Sequence, residues 1–211
     1  MKKLCSLIAV LCFAALPAVA AETVVADAKI SNGGDAGDGG DGGGASKIGY
    51  WVETQVGRSG GKGEAQVVAI ASAPLTGRLG LFILAQAISD GYRQAYAGPS
   101  LKLGPVEVGV GIGSENMPDS FRRAAYAFGD IGKISFVLAY EDGGSGPWHT
   151  TKVTYKVTDK VGVGAMEQSF FGFGPRVEYD LAKGIQLWGA VARERHSDGK
   201  VNGKVGLAFT F

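Results

Sequence analysis

The two histidines of this 211-residue chain are its best candidates for acid–base or nucleophilic chemistry. In "RERHSDG", His196 precedes Ser197 and Asp198; in "EDGGSGPWH", His149 follows Ser145. Acyl hydrolysis or transfer needs a serine within hydrogen-bond reach of a histidine, and a third group that orients the ring. Residues adjacent in a strand point to opposite sides and seldom meet this requirement. We predict no catalytic residue, and lipid acyl chemistry stays an alternative function.

Charged side chains form a second candidate set, because they recur between apolar residues in alternating segments. Such alternation places them on one face of a strand. We expect the following charges to line the interior of a barrel: Glu53, Glu107, Arg123, Glu141, Lys152, Lys156, Arg176, Glu178 and Lys204. They form either a mutually paired network or a path that selects ions, as rings of charge do in pores. The candidates for an anion-attracting face are Lys152, Lys156, Arg176 and Arg123.

Metal, cofactor and nucleic-acid chemistry find little support. Two histidines offer too few ligands for a metal site. "GRSGGKGE" is not a phosphate-binding loop, since Gly63 follows Lys62 where that loop has Ser or Thr. "GVGIGS" lies in an alternating segment with no helix after it. Without Lys2 and Lys3, 19 basic residues oppose 20 acidic ones, and no basic patch suggests nucleic acid. We predict no metal, cofactor or nucleic-acid partner.

The N-terminal residues predict export. Lys2 and Lys3 precede the apolar residues 4–16, and "AVA" ends at Ala20, so residues 1–20 are typical of a cleaved signal peptide. A retained anchor is the alternative. Cys5 and Cys12 both lie in this leader, so the mature chain would contain no cysteine and no disulfide.

A glycine-rich stretch follows the leader. Residues 21–46 contain "SNGGDAGDGGDGGGAS", which predicts a flexible arm because glycines cannot pack. The aspartates at every third position raise the alternative of calcium binding. The motif does not iterate and lacks an apolar position, so we favour the flexible arm.

From residue 47 to 211 the dominant apolar period is two, which is typical of strands. Turn residues divide the region into about twelve strands. Their predicted bounds are 47–58, 63–73, 78–89, 92–101, 105–114, 121–130, 133–142, 148–158, 160–167, 171–181, 184–195 and 201–211. Short connections alternate with generally longer ones, which indicates an up-and-down barrel with both chain ends at the rim of tight turns. Ten strands are the alternative.

The alternation also predicts which face is outside. If the large rings pointed inward, they would crowd the interior; pointing outward, they coat a lipid-facing belt, and a closed barrel pairs every backbone amide in lipid. Tyr140, Tyr155, Tyr179 and Phe171 recur near predicted strand ends, where interfacial aromatic girdles occur. A soluble exported sandwich or lipocalin-like barrel is the alternative, but its inner face would contain too many glycines to fill a core.

The last eight residues, "KVGLAFTF", carry a family resemblance. Val205, Leu207, Phe209 and Phe211 alternate up to the last residue of the sequence. With the leader and the strand rhythm, this segment resembles Gram-negative outer-membrane β-barrel proteins. The resemblance implies that these four residues form the signal read by the barrel-insertion machinery. It also implies an outer-membrane location and contact with membrane lipid and lipopolysaccharide.

The sequence therefore predicts an all-β, transmembrane, antiparallel up-and-down barrel over residues 47–211. A twelve-stranded barrel lies between small filled barrels and open porins, which favours a narrow pore. We predict a channel for passive diffusion of ions or small hydrophilic solutes. A lipid-modifying acyl hydrolase or transferase and a non-conducting structural or adhesion barrel are the alternatives.

Overall fold

The computed structural model describes residues 48–59, 62–194 and 200–211. The signal peptide predicted at 1–20, the flexible arm at 21–46, and His196 with its neighbours Ser197 and Asp198 lie outside the described residues. Among the described residues there is no helix with the length and hydropathy that crossing a membrane requires.

Twelve antiparallel strands form one closed barrel in which each strand pairs with its neighbours along the chain, and β1 closes against β12. The strands are β1 Gly49–Ser59, β2 Lys62–Thr76, β3 Leu79–Ile88, β4 Arg93–Leu103, β5 Val106–Glu115, β6 Phe121–Ile131, β7 Ile134–Gly143, β8 Trp148–Lys156, β9 Val161–Gln168, β10 Gly172–Ala182, β11 Ile185–Arg193 and β12 Val201–Thr210. The predicted all-β up-and-down barrel is confirmed, with twelve strands and not ten.

The barrel has two different rims. Even-numbered strands end at the rim that also holds β1's first residue and Phe211; we call it the turn end. Odd-numbered strands end at the opposite rim, the loop end. Connections at the turn end are tight: Gly104 and Gly132 have φ of 63° and 62°, which a residue with a β-carbon rarely adopts. The connection between β5 and β6 at the loop end, residues 116–120, is longer.

The two faces of each strand differ in character. The outward face carries large apolar side chains, among them Val110 and Ile112, which are 59% and 66% exposed. The inward face carries buried polar side chains such as Gln55, Gln94 and Thr154. This is the predicted orientation. The soluble alternative, with its rings in a dry core and polar groups outside, has the opposite arrangement.

One aromatic residue departs from that orientation. Phe171, expected in the outward girdle, is fully buried inside the barrel. It precedes β10 in a turn where Phe170 has φ of 65° and Gly172 has φ of 102°. The turn interrupts the alternation, so Phe171 does not share the outward face of Phe173, which is half exposed.

Candidate channel lumen

An ion pair crosses the barrel interior. Lys152 Nζ on β8 lies 3.1 Å from Glu53 Oε1 on β1. Four strands separate β1 and β8 around one side of the barrel and six around the other, so the pair joins nearly opposite walls. The Lys152 ammonium also lies 5.8 Å from the ring of Trp51 and 5.7 Å from that of Trp188. These four side chains narrow the lumen; we call them the crossing cluster.

A second cation stands beside the crossing cluster. The Arg176 guanidinium carbon lies 3.9 Å from the centre of the Trp188 ring, and Arg176 Nε donates to Glu178 Oε1 at 2.6 Å. Stacking on an indole face and a hydrogen bond to a carboxylate are the two interactions that suit a planar guanidinium. Small residues make room for the indole: a β-carbon at Gly206 would lie 2.7 Å from Trp188.

Two more inward lysines have acidic partners. Lys204 Nζ, fully buried, lies 2.6 Å from Glu64 Oε1. Lys156 Nζ, about half exposed near the turn end, lies 3.4 Å from Asp180 Oδ2. Together with the pairs at Lys152 and Arg176, these contacts give every predicted inward cation except Arg123 an acidic neighbour inside the barrel. The geometry is that of a paired network.

A polar network occupies the interior near the loop end. Arg122 is 1% exposed; its Nη1 lies 3.2 Å from Glu115 Oε2 and its Nη2 lies 3.6 Å from Glu141 Oε2. Its Nε donates to Tyr96 Oη at 2.7 Å, and its Nη1 donates to Ser145 Oγ at 2.7 Å. One guanidinium therefore holds two carboxylates and the β7–β8 loop together.

Tyr92, in the loop before β4, extends the same network. Its hydroxyl donates to Glu115 Oε2 at 2.5 Å and is 2.6 Å from Gln94 Oε1. Burial, and then the hydrogen bond to Glu115, raises the pKa of Tyr92 to about 12. The hydroxyl therefore keeps its proton at neutral pH and stays a donor to the carboxylate.

Aromatic side chains fill part of the wall formed by β3, β5 and β6. The rings of Phe82 and Tyr126 meet edge to face at 4.7 Å, and Tyr126 stacks on Phe128 at 5.6 Å. The Tyr126 hydroxyl donates to Glu107 Oε1 at 3.0 Å, so Glu107 faces the lumen. Gly109 lies against the Tyr126 ring, where a β-carbon would overlap it. Inward glycines thus provide space for large rings.

An apolar cluster lies on the opposite wall. It is formed by Met166, Phe171, Trp188, Ala190 and Ala192. The inward Asn202 anchors the β9–β10 turn above it, since its Nδ2 donates to the Phe171 carbonyl at 2.9 Å.

The turn end contains a cavity of about 550 Å³. Trp51, Asp180, Gln186 and Thr210 are among its lining residues, with Lys183 at the rim. Trp51 lines this cavity and also belongs to the crossing cluster.

One predicted lumen residue needs correction. The Arg123 side chain is 71% exposed on the outer face and bonds Asp142 at 2.6 Å. Its neighbour Arg122 is the inward arginine. The prediction is wrong because the large rings of Tyr126 and Phe128 share the inward face of Arg122, whereas the alternation rule assigns large rings to the lipid-facing side. Nothing in the alternation of β6 reveals that Gly109 on β5 leaves room for the Tyr126 ring.

The structure does not bring together the serine and the histidine of the segment "EDGGSGPWH". Ser145 and Glu141 contact Arg122, while the His149 ring Nδ1 is 3.0 Å from Ser169 Oγ. The His149 amide also donates to Ser169 Oγ at 3.0 Å, and the Ser169 amide to the His149 carbonyl. These bonds tie β8 to the β9–β10 turn at the loop end.

Comparisons with known proteins give structural likeness alone. No family model matches the chain. No curated protein matches it by sequence. The structure of the KdgM porin in complex with disordered oligogalacturonate is similar with a TM-score of 0.51 and 11% identity, over 76% of this chain and 99% of that one.

Two further structures are similar over comparable spans. One, titled "Unveiling the Mechanism Behind the in-meso Crystallization of Membrane Proteins", has a TM-score of 0.58 and 8% identity over 78% of this chain and 84% of that one. The Acinetobacter baumannii outer membrane protein Omp33 has a TM-score of 0.47 and 10% identity, over 79% and 98%. At such identities the two likenesses with a TM-score above 0.5 show the fold alone: this chain is a closed antiparallel barrel, as the KdgM porin is.

Proposed function

We propose that this protein is an outer-membrane channel for passive diffusion of ions or small hydrophilic solutes. The observation that carries the proposal is the contrast between an apolar outer face and a charged lumen within one closed barrel. Charged groups are costly inside a membrane protein unless they are paired or meet water. The porin-like fold supports the same function.

The crossing cluster is the proposed constriction. A permeant reaching it from the turn-end cavity meets the Glu53 carboxylate and the Lys152 ammonium at once. A channel conducts when the permeant binds the lumen favourably enough to enter and weakly enough to leave. The Glu53–Lys152 pair meets this requirement if a passing ion replaces one partner of the pair and then releases it. Because the inward cations Arg122, Lys152, Lys156, Arg176 and Lys204 each have an acidic partner, we expect small conductance with weak preference for either sign of charge.

Conductance of the purified protein in planar lipid bilayers tests this function. We expect discrete, small current steps from the native chain. The double variant Glu53→Ala with Lys152→Ala removes the crossing pair and should give larger steps. Thr151→Ala, next to Lys152 but on the outer face, should leave the steps unchanged. Absence of steps from both the native and the widened barrel, in samples that migrate as folded heat-modifiable protein, would contradict the proposal.

We propose no enzymatic role. The side-chain contact between Ser169 and His149 is exposed, and the same two residues also exchange hydrogen bonds through their backbones. Such a set of bonds stabilises the base of a turn. Purified protein should release no fatty acid from lipid A or phospholipid, as mass spectra of the lipids would show. Acyl release that is lost in His149→Ala would support the enzyme instead.

Assembly forms the last part of the proposal. We propose export through a cleaved signal peptide and recognition of the outward face of β12 by the barrel-insertion machinery of a Gram-negative cell. The residues concerned are Val205, Leu207 and Phe209 on that face and Phe211 directly after β12; the rings of the last two stack at 6.4 Å. Deleting Phe211 should reduce the folded protein recovered from outer membranes, whereas Thr210→Ser should not.

A further inference from the structure

The outer face carries charge at one rim only. In the described strands, every outward-facing acidic or basic side chain lies within three residues of the loop end. We call this set the loop-end charge band: Arg58, Arg93, Arg123, Asp142, Glu167 and Arg193.

The outward positions at the turn end are apolar by contrast. Tyr50, Leu101, Ile134, Tyr155 and Leu181 are each 40–50% exposed there. Apart from the inward-facing Lys102 and Lys156, the cations at this rim lie in the connections, as Lys133 and Lys183 do. At the turn end the apolar belt of the outer face therefore borders directly on the turns. At the loop end a layer of charged side chains lies between the belt and the loops. The part of the membrane around the loop end must therefore provide polar or charged groups that interact with these side chains.

All basic members of the band are arginines. A guanidinium presents five donors in a fixed fork that binds phosphate in bidentate fashion, whereas an ammonium is a compact, strongly hydrated charge. Four arginines against two carboxylates also leave the band net positive. Its composition is therefore complementary to phosphate groups at the same depth.

Two of the arginines flank an open stretch of β12. Arg58 pairs with Gly203 across one edge of β12, and Arg193 pairs with Val201 across the other. Two strand spacings place their backbones about 10 Å apart around the barrel. Gly203 adds no side chain between them, and a β-carbon there would meet only one atom within 4 Å, at 4.0 Å. Both arginines also interact with other groups of the protein, but five donors on each guanidinium allow a phosphate as well.

We propose that the loop-end charge band binds the phosphate groups of lipopolysaccharide, with Arg58 and Arg193 forming its principal site across β12. The inference rests on the proposed outer-membrane location but not on conduction. Lipopolysaccharide is favoured over a monophosphate phospholipid because its lipid A carries more than one phosphate, matching arginines spread over four strands. The confinement of outward-facing strand charge to one rim also matches a membrane whose two leaflets differ.

Native mass spectrometry of the purified full barrel, titrated with diphosphorylated lipid A or with phosphatidylglycerol, tests the site. In Arg58→Gln with Arg193→Gln, the affinity for lipid A should fall about tenfold or more, since charge-assisted hydrogen bonds to phosphate are lost. Phosphatidylglycerol binding should change less. The matched control, Lys133→Gln with Lys183→Gln at the turn end, removes the same charge and should leave lipid A affinity unchanged.

The outcomes separate the possibilities. Equal losses in the two double variants would show non-specific attraction to net charge and overturn the site. Equal losses for lipid A and phosphatidylglycerol would overturn the choice of lipopolysaccharide. If the first variant does not give a heat-modifiable barrel, Arg93→Gln with Arg123→Gln tests the same band and should weaken lipid A binding by a measurable factor. A barrel that binds lipid A but conducts no current would contradict the proposed channel function and leave the lipid A site standing.

Discussion

The residues of the inner face and those of the outer face of the same strands meet different requirements. On β8, Lys152 and Thr154 point inward and have buried neighbours, while Val153 and Tyr155 point outward and are nearly half exposed. In a membrane barrel the outer face meets hydrocarbon, so any apolar residue suffices there. The inner face needs a partner for each charge. We therefore expect changes inside the barrel to act through specific pairs, and changes outside to act through hydropathy and depth.

The largest effect should come from breaking the crossing pair on one side. Glu53→Leu leaves the Lys152 ammonium, on a side chain that is only 14% exposed, without its carboxylate, and should lower the free energy of unfolding by about 3–5 kcal/mol. Urea unfolding in lipid vesicles, followed by tryptophan fluorescence, measures this. Trp51 and Trp188 beside the pair report on it directly.

The matched double variant, Glu53→Leu with Lys152→Met, tests whether the cost belongs to the pair. Apolar replacements of both members of a buried ion pair are often near neutral. Recovery of most of the lost stability is expected. If the double variant loses the sum of the two single costs, the residues act independently and the specific-pair account of the lumen fails.

A charge placed on the outer face should cost less, and its cost should depend on depth. Val110 lies in the middle of β5 and faces outward, so Val110→Arg should lower stability in vesicles by about 2–4 kcal/mol. Ser114→Arg, on the same strand and face but near the loop end, should cost about 0–1 kcal/mol. Equal costs at both depths would mean that no hydrocarbon layer surrounds β5.

The smallest effect concerns the space that inward glycines leave. In Gly206→Ala the new methyl group would lie 2.6 Å from the Thr54 carbonyl and 2.7 Å from the Trp188 ring, and should cost about 1–3 kcal/mol. Gly63→Ala, where nothing lies within 4 Å, provides the control and should be nearly neutral. The same unfolding experiment compares them; a harmless Gly206→Ala would show that Trp188 is free to move.

The sequence predicts the outer face far better than the inner one. Period-two alternation and turn residues place all twelve strands to within about three residues at either end, because strand geometry is local. The outward apolar positions of β12 follow from the same rule. A lipid-facing position is recognised by its own residue type, without knowledge of its neighbours.

The inner face depends on contacts that are distant in sequence. Glu53 and Lys152 are 99 positions apart, and no alternation within β1 or β8 indicates that they meet. The expectation that Arg123 faces inward follows from assigning the rings of Tyr126 and Phe128 to the outer face. The Tyr126 ring fits inside because Gly109 on β5 has no β-carbon. Phe171 differs for another reason: a turn with positive φ interrupts the alternation.

Accessibility of spin labels in lipid vesicles tests the orientation of the faces most directly. No cysteine occurs among the described residues, so single cysteines can be placed at the outward positions Val153, Tyr155 and Val177, and at the inward positions Thr150 and Thr154. We predict that labels at the outward positions collide frequently with dissolved oxygen and rarely with a water-soluble nickel chelate, and that labels at the inward positions do not show this excess. Outward labels open to the chelate, on a protein that stays in solution without detergent, would contradict the account.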